Sequence, residues 1–246
     1  MSNNILKLNN EKTEMLIISS KFNKTIPPQS TISIGGAIIN SSSFVKDLGV
    51  IVDSKLNMEK HISQLCKSAN YHLRTIGRSR KFLTKKATEC LVHAFISSKL
   101  DYCNSLLYGV SNDQLKRLQY IQNTAARIIT LTKKRSHITP VLKELHWLPR
   151  ITFKLLVFAF KAYHQCGPAY LNSKLAIQSR TRNLRSSQQV ILHQPSFNLA
   201  TYGAKSYTYA APKLFNSLPP RIKELSCLET FKSNVKTYLF NQAFPH

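Results

Sequence analysis

The chain of 246 residues is 43% hydrophobic, which suits one or two globular domains and excludes a disordered chain. It carries 35 Lys and Arg residues against 11 Asp and Glu, a net charge of +24, and repulsion within so basic a fold predicts a polyanionic partner. Nucleic acid is the first candidate for that partner, and an acidic membrane surface is the second. The longest apolar run, residues 155–160, is far shorter than the roughly 20 residues of a membrane helix, so we expect no membrane-spanning segment.

The N-terminus and the cysteines indicate the compartment. Residues 1–11 contain no apolar block followed by a small-residue cleavage site, which argues against a secretory signal peptide. The five cysteines are odd in number, widely spread and without a Cys-x-x-Cys pair, as is typical of free thiols in a reducing compartment. The sequence therefore predicts a nuclear or cytoplasmic protein.

The N-terminal part of the chain has the pattern of β-strands. Residues 14–19 are β-prone, and the strands predicted at 31–34 and 37–39 flank Gly35-Gly36, a pair suited to a hairpin turn. Residues 44–52 are expected to form the next strand. So few strands bury little surface on their own, so we expect a small antiparallel sheet that is the edge of a larger one.

A helical period begins at Asn57 and continues to about residue 82. One face of this helix is apolar, with Ile62, Leu65, Cys66, Ala69, Leu73 and Ile76. The opposite face carries a row of cations, called the basic stripe below: Lys60, Lys67, Arg74, Arg78 and Lys81. A solvated surface is the ordinary interpretation of such a face. No acidic residue lies between Glu59 and Glu89, however, and a stripe of one sign opposite an apolar face favours a helix laid along a phosphate backbone.

Two further helices follow. Thr84 is a candidate N-cap for a helix running towards Leu107, with the break at Gly109. The next helix, residues 113–131, places Leu115, Leu118, Ile121, Ala125, Ile128 and Ile129 on one side, and a basic loop follows at 133–135. The side chains of Asp101 and Asn104 are expected to cap or pin a helix end.

The last third of the chain returns to helix after an irregular stretch. The run after residue 149 is apolar almost all round, which predicts a helix buried on most sides and ended by Gly167-Pro168. Residues 204–246 are expected to form short helices, cut at Pro212 and at Pro219-Pro220, before a final amphipathic one. Between them, residues 174–203 lack a clear period and are interpreted as an extended basic arm with Arg180, Arg182 and Arg185.

Several phrases occur in a fixed order along the chain. They are Leu-Lys-Leu-Asn-Asn-Glu-Lys-Thr-Glu (6–14), Val-Lys-Asp-Leu-Gly-Val-Ile-Val-Asp (45–53), Leu-Asp-Tyr-Cys-Asn-Ser-Leu-Leu (100–107), Leu-Gln-Tyr-Ile-Gln-Asn-Thr-Ala-Ala-Arg (118–127), Leu-His-Trp-Leu-Pro (145–149) and Leu-Arg-Ser-Ser (184–187). Together they resemble the C-terminal part of reverse transcriptases from LINE-type (non-LTR) retrotransposons of the jockey-like kind. The resemblance covers nearly the whole chain.

The resemblance implies an α+β, mostly helical fold. Residues 1–55 would form palm-edge strands, 56–173 the thumb and helical core, 174–203 the basic arm and 204–246 the C-terminal helices. The thumb grips the template–primer duplex in such polymerases, so the implied partners are RNA or an RNA–DNA duplex and, in addition, an upstream polymerase palm. No membrane partner, small-molecule substrate or cofactor is expected.

The departure from the family concerns the catalytic motif. The palm's Tyr/Phe-Ala-Asp-Asp would precede the first matched phrase, and this chain contains no Asp-Asp pair. Two-metal nucleotidyl transfer needs carboxylates that hold two ions roughly 3.5–4 Å apart. We therefore expect no catalytic residues and no polymerase activity from this chain on its own.

Other chemistry is weaker. His137, His146 and His164 with Cys103 and Cys166 could suggest zinc, but no close Cys-x2–4-Cys pair supports a metal site.

A nucleophilic triad of Asp101, Cys103 and His146 has no ordering signal behind it. Trp147, the only tryptophan, is expected to anchor the core rather than to stack on bases.

Three functional hypotheses remain open. The first is a non-catalytic fragment that binds nucleic-acid backbones. The second is an inert mobile-element relic or a helical protein-interaction scaffold. The third is an RNA-directed DNA polymerase that acts only when joined to an upstream palm.

Overall fold

The computed structural model describes residues 9–19, 30–147, 150–177 and 190–245. The chain divides into two compact units: residues 1–68 with 110–117, and residues 69–109 with 118–246. The predicted α+β, mostly helical fold is confirmed, with small N-terminal sheets followed by helices.

The strands are β1 (Met15–Leu16), β2 (Thr31–Ile34), β3 (Ala37–Ser42), β4 (Phe44–Asp47) and β5 (Val50–Asp53). The helices are α1 (Glu59–Ser79), α2 (Lys85–Val92), α3 (Ser98–Asp101), α4 (Asn112–Thr130), α5 (Thr139–Glu144), α6 (Arg150–Tyr163), α7 (Ala169–Asn172), α8 (Ala200–Gly203), α9 (Tyr207–Asn216), α10 (Pro220–Lys223) and α11 (Leu228–Ala243).

The hairpin predicted around Gly35-Gly36 is present in the first unit. β2 pairs antiparallel with β3, with Ile34 opposite Ala37, and Gly35 and Gly36 turn at φ of 58° and 83°. Positive φ at both central residues is what a tight hairpin requires and what glycine supplies without strain. The sheet is mixed rather than purely antiparallel, because β1 joins the other side of β3 in parallel.

The prediction of a single strand at 44–52 is wrong. The chain turns at Leu48 and Gly49, which have φ of 44° and 88°, and forms the antiparallel pair β4–β5. A leucine at positive φ is uncommon, so the Leu-Gly pair gave no turn signal of the Asn-Gly kind. The result is a second small sheet in place of a longer strand.

The second unit has its core around α6, α9 and α11. Phe160, Phe215 and Phe231 are fully buried there, and the rings of Phe160 and Phe231 stack with centroids 4.1 Å apart. α6 is buried over much of its surface, as its apolar sequence predicts. Leu192 also lies in this core, and its backbone exchanges two hydrogen bonds of 2.9 Å with the Asn216 side chain. Part of the stretch interpreted as an arm is therefore packed into the core.

Two helix boundaries differ from the predictions. The helix capped by Thr84 passes through a π-helical segment, His93–Ser97, and ends at Asp101, with a short 3₁₀ helix at Asn104–Leu107. Thr84 is confirmed as N-cap, since its Oγ1 accepts a hydrogen bond from the Ala87 N–H at 3.2 Å. The predicted helix break at Pro212 is wrong, because α9 continues through Pro212 and the proline is buried.

Several helices end at residues other than glycine in the left-handed conformation. Leu131, His146 and Gln165 follow α4, α5 and α6 at φ of 57°, 51° and 56°. After α6, the N–H of Cys166 donates to the Lys161 carbonyl at 2.8 Å, which is the long hydrogen bond of a Schellman motif. The helix therefore stops before Gly167-Pro168 through its own backbone geometry.

Candidate nucleic-acid interface

Helix α1 has the two faces that its sequence predicts. Ile62, Ala69 and Leu73 are 0%, 0% and 2% exposed, and every cation of the basic stripe is exposed. The boundary between the two units falls inside this helix, after Ser68. Lys60 and Lys67 therefore belong to the first unit, and Arg74, Arg78 and Lys81 belong to the second.

The start of α1 is fixed by a buried carboxylate at the end of β5. Asp53 is 9% exposed, and its oxygens accept hydrogen bonds from the N–H groups of Lys55, Asn57 and Met58 at 3.0, 3.1 and 2.7 Å. The side chain of Asn57 in turn accepts from the Glu59 N–H at 2.9 Å, which satisfies one of the free N–H groups of the first turn of α1. The role of Asp53 was not predicted, although it closes the Val-Lys-Asp-Leu-Gly-Val-Ile-Val-Asp phrase. These hydrogen bonds set where the first turn of α1 begins.

His61, in the first turn of α1, is buried beside β5. It is 8% exposed, and its Nδ1 accepts a hydrogen bond from the Ile51 N–H at 3.4 Å. Burial lowers the pKa of His61 from its usual 6.5, because the charged imidazolium loses hydration there. The neutral ring is the form that this hydrogen bond requires.

The cations of the basic stripe are not neutralised by carboxylates. Among the described residues, none of the five takes part in an ion pair. The Nζ of Lys60 lies 3.5 Å from the centroid of the Phe44 ring, and the Nζ of Lys81 lies 4.8 Å from that of Phe82. An aromatic face leaves the charge of a lysine intact, so these contacts orient the ammonium groups and keep them available to phosphates.

Arg80 lies within the same run of cations but has a different role. Its guanidinium donates to the carbonyls of Ile128, Ile129 and Leu83 at 2.8, 3.0 and 2.6 Å. The first two carbonyls belong to the last turn of α4, which has no helical partners for them. Arg80 therefore caps α4 and ties its end to the end of α1, where Gly77 also lies close to the Ile128 side chain.

This tie brings a second group of cations to the same region of the second unit. The basic loop, residues 133–135, begins four residues after Ile129, and its three cations are exposed without ion pairs in the described part of the chain. Arg127 holds the loop's backbone, since its Nη2 donates to the Ser136 carbonyl at 2.8 Å. The second-unit basic surface is defined here as Arg74, Arg78, Lys81, Lys133, Lys134 and Arg135.

The second unit also holds most of the protein's charge. It contains 25 Lys and Arg residues against 5 Asp and Glu, a net of +20, and the first unit contains 10 against 6, a net of +4. Cations packed at this density repel one another unless a polyanion is bound. The second unit is therefore the better candidate for a nucleic-acid interface.

The other residues singled out from the sequence are not assigned to this surface. Arg180, Arg182 and Arg185 lie outside the described residues. Trp147 is 8% exposed and follows α5 in a Schellman motif, in which its N–H donates to the Leu142 carbonyl at 3.1 Å. Its indole Nε1 is buried and finds no acceptor among the described residues.

Asp101 and Asn104, both expected to cap or pin a helix end, differ in the structure. Asp101 forms an ion pair with Arg150, the first residue of α6, and so pins a helix end as expected. Asn104 is 4% exposed, and its Oδ1 has no hydrogen-bond partner in the described part of the chain.

Within the described ranges, no three or more His, Cys, Asp or Glu side chains are grouped so that they could hold a metal ion. None of the helices found there is both long enough and apolar enough to cross a membrane. A comparison with protein-family models found no match, and searches of curated proteins and of solved structures found none either.

Proposed function

We propose that the chain binds the backbone of template RNA or of an RNA–DNA duplex without sequence preference, as the thumb and C-terminal region of a LINE-type reverse transcriptase. The observation that carries this proposal is the second-unit basic surface, six exposed cations from α1, the turn that follows it and the basic loop, none of which pairs with a carboxylate in the described part of the chain. Phosphate contacts of this kind supply affinity and orientation but read no bases.

The arrangement along α1 suits a phosphate backbone. Arg74 and Arg78 are four residues apart, so they lie about 6 Å from one another along the same face of the helix. Arginine also presents a planar set of donors that matches phosphate oxygens. The apolar residues on the opposite face hold the helix against the protein, which leaves the cations in a fixed row.

The exposed apolar side chains of the first unit support the interpretation as a palm edge. Ile38 is 73% exposed and Leu48 is 84% exposed, while β2 is exposed along its whole length. Small sheets with exposed apolar residues and an open edge suit the addition of further strands. The same observation favours the alternative of a protein-interaction scaffold. Measurements of nucleic-acid binding distinguish the two proposals, because only the first predicts binding.

On this proposal, the chain does not polymerise DNA by itself. Primer extension with the purified chain, an RNA template, a DNA primer, Mg²⁺ and all four deoxynucleotides is expected to give no product. Incorporation above a no-protein control would replace this proposal by that of an independent polymerase.

The binding proposal is tested by the salt dependence of affinity. Fluorescence anisotropy of a labelled RNA–DNA duplex is expected to show a steep fall in affinity with salt, because cations release the counterions of the phosphates they contact. The variant Arg74→Gln/Arg78→Gln/Lys81→Gln should lower the log–log slope by about 3, since each phosphate contact accounts for about 1.

A control with the same change in charge makes the test specific. Lys174, Lys213 and Arg221 are exposed cations of the second unit that take part in no ion pair in the described ranges. Their triple glutamine variant should keep nearly the wild-type slope. Equal losses in both variants would show binding to net charge alone and would remove the stripe from the account.

A further inference from the structure

A cavity of about 730 Å³ opens in the second unit. Its size lies within the range of small-molecule sites. It opens between the end of α3, the turn after α5, the first turn of α6 and the C-terminal half of α11, and none of its described lining residues belongs to the second-unit basic surface. It is lined by Asp101, Asn104, His146, Arg150, Phe153, Lys154, Lys236, Thr237 and Phe240.

The charge of the lining favours an anion. The lining contains three cations, Arg150, Lys154 and Lys236, and one carboxylate, that of Asp101. This carboxylate is already paired with Arg150. Lys154 and Lys236 form no ion pair among the described residues. The lining residues therefore carry a net charge of +2, which attracts an anion even though Glu229 lies near enough to Lys236 to interact with its charge.

The lysines are held in place by aromatic rings. The Nζ of Lys236, on α11, lies 5.6 Å from the centroid of the Phe153 ring on α6. The Nζ of Lys154 lies 5.3 Å from that of Phe158 on the same helix. The Phe153 ring itself lines the cavity, so its contact limits the rotamers of Lys236 and less entropy is lost when an anion binds this lysine there.

The remaining walls suit a planar ring with hydrogen-bond donors. Phe240 and His146 lie with their ring centroids 5.4 Å apart, and Phe153 adds a third ring. The Oδ1 of Asn104, a residue of the lining, is a buried acceptor that finds no donor among the described residues. Rotation of the Asn104 amide towards the cavity would let this acceptor meet a ligand donor.

We propose that this cavity binds a nucleoside monophosphate unit, with the phosphate on Lys154 and Lys236 and the base against the aromatic walls. Two sources share this chemistry: a free mononucleotide, and an unpaired nucleotide of an RNA strand. The site uses different residues from the duplex-binding surface, so either proposal can fail while the other stands.

The test is isothermal titration of the full chain with a nucleoside 5′-monophosphate, the matching nucleoside, inorganic phosphate and a short single-stranded RNA. The monophosphate is expected to bind at least tenfold more tightly than the nucleoside or inorganic phosphate. The variant Lys154→Ala/Lys236→Ala should reduce its affinity at least tenfold. Both lysines are exposed, and circular dichroism and melting temperature check that the variant folds.

Lys213 provides a matched control, because it is also an exposed lysine of the second unit, with its Nζ 5.7 Å from the centroid of the Tyr209 ring. The variant Lys174→Ala/Lys213→Ala removes the same charge and should bind the monophosphate as the wild type does. Binding of the RNA strand alone, lost in Lys154→Ala/Lys236→Ala, would identify the strand as the source. No binding of either ligand, equal binding of inorganic phosphate, or equal losses in the two variants would overturn the proposal.

Discussion

Replacing Arg80 separates a structural arginine from the cations proposed to bind nucleic acid. Its guanidinium donates three hydrogen bonds, to the carbonyls of Ile128, Ile129 and Leu83. A hydrogen bond from a charged donor contributes about 1.5–3 kcal/mol, but the carbonyls of the half-buried Ile128 and Leu83 regain some hydration when the side chain is removed. We therefore expect Arg80→Ala to lower the free energy of unfolding by about 3 kcal/mol.

Chemical denaturation followed by circular dichroism measures this loss. Arg80→Lys should recover only part of it, because one ammonium cannot reproduce the planar fork of donors. Arg74→Ala is the control and should stay within about 0.5 kcal/mol of wild type, as exposed positions without partners do. A loss below about 0.5 kcal/mol for Arg80→Ala, or lower duplex affinity at unchanged stability, would refute the capping role and place Arg80 in the interface.

Two further predictions concern stability. Because burial lowers the pKa of folded His61 below 6.5, the unfolded chain binds more protons below that pH, and stability is lost as the pH falls from about 6.5. His61→Gln should therefore lose less stability than wild type between pH 7.5 and pH 5.5, and equal losses would contradict this account. Leu131, 68% exposed at φ 57°, bears a left-handed strain of about 1–2 kcal/mol that glycine removes at a smaller entropic cost. Leu131→Gly should therefore raise the free energy of unfolding by about 1 kcal/mol in urea denaturation, and Leu131→Ala should not; destabilisation by the glycine would contradict the assignment.

Local patterns predicted the elements whose causes are local. The Gly35-Gly36 hairpin follows from the φ angles that glycine allows, and the Thr84 cap follows from a hydroxyl before a helical period. The exposed basic stripe follows from the period of α1, because its apolar face has one way to be buried. The turn at Leu48-Gly49 could not be found in this way, since leucine seldom adopts a positive φ.

Contacts between residues far apart in the chain could not be predicted from local sequence patterns. Arg80 meets Ile128 and Ile129 across 48 and 49 positions, so its own neighbourhood does not show which groups it contacts. Its position between Arg78 and Lys81, turned away from their face of the helix, was the one available signal.

The cavity joins side chains from distant parts of the chain, and the pairing of Asp101 with Arg150 shows only in three dimensions. The basic loop could be predicted as charged, but its place near the end of α1 depends on the tie through Arg80.

The salt dependence of duplex binding tests the central claim most directly. The slope of log affinity against log salt, measured by anisotropy on one RNA–DNA duplex, compares Arg74→Gln/Arg78→Gln/Lys81→Gln with the charge-matched Lys174→Gln/Lys213→Gln/Arg221→Gln. The account predicts a slope about 3 lower in magnitude for the first variant and nearly unchanged for the second. Unchanged slope and affinity in the first variant, or absence of duplex binding by the wild type at moderate salt, would contradict it.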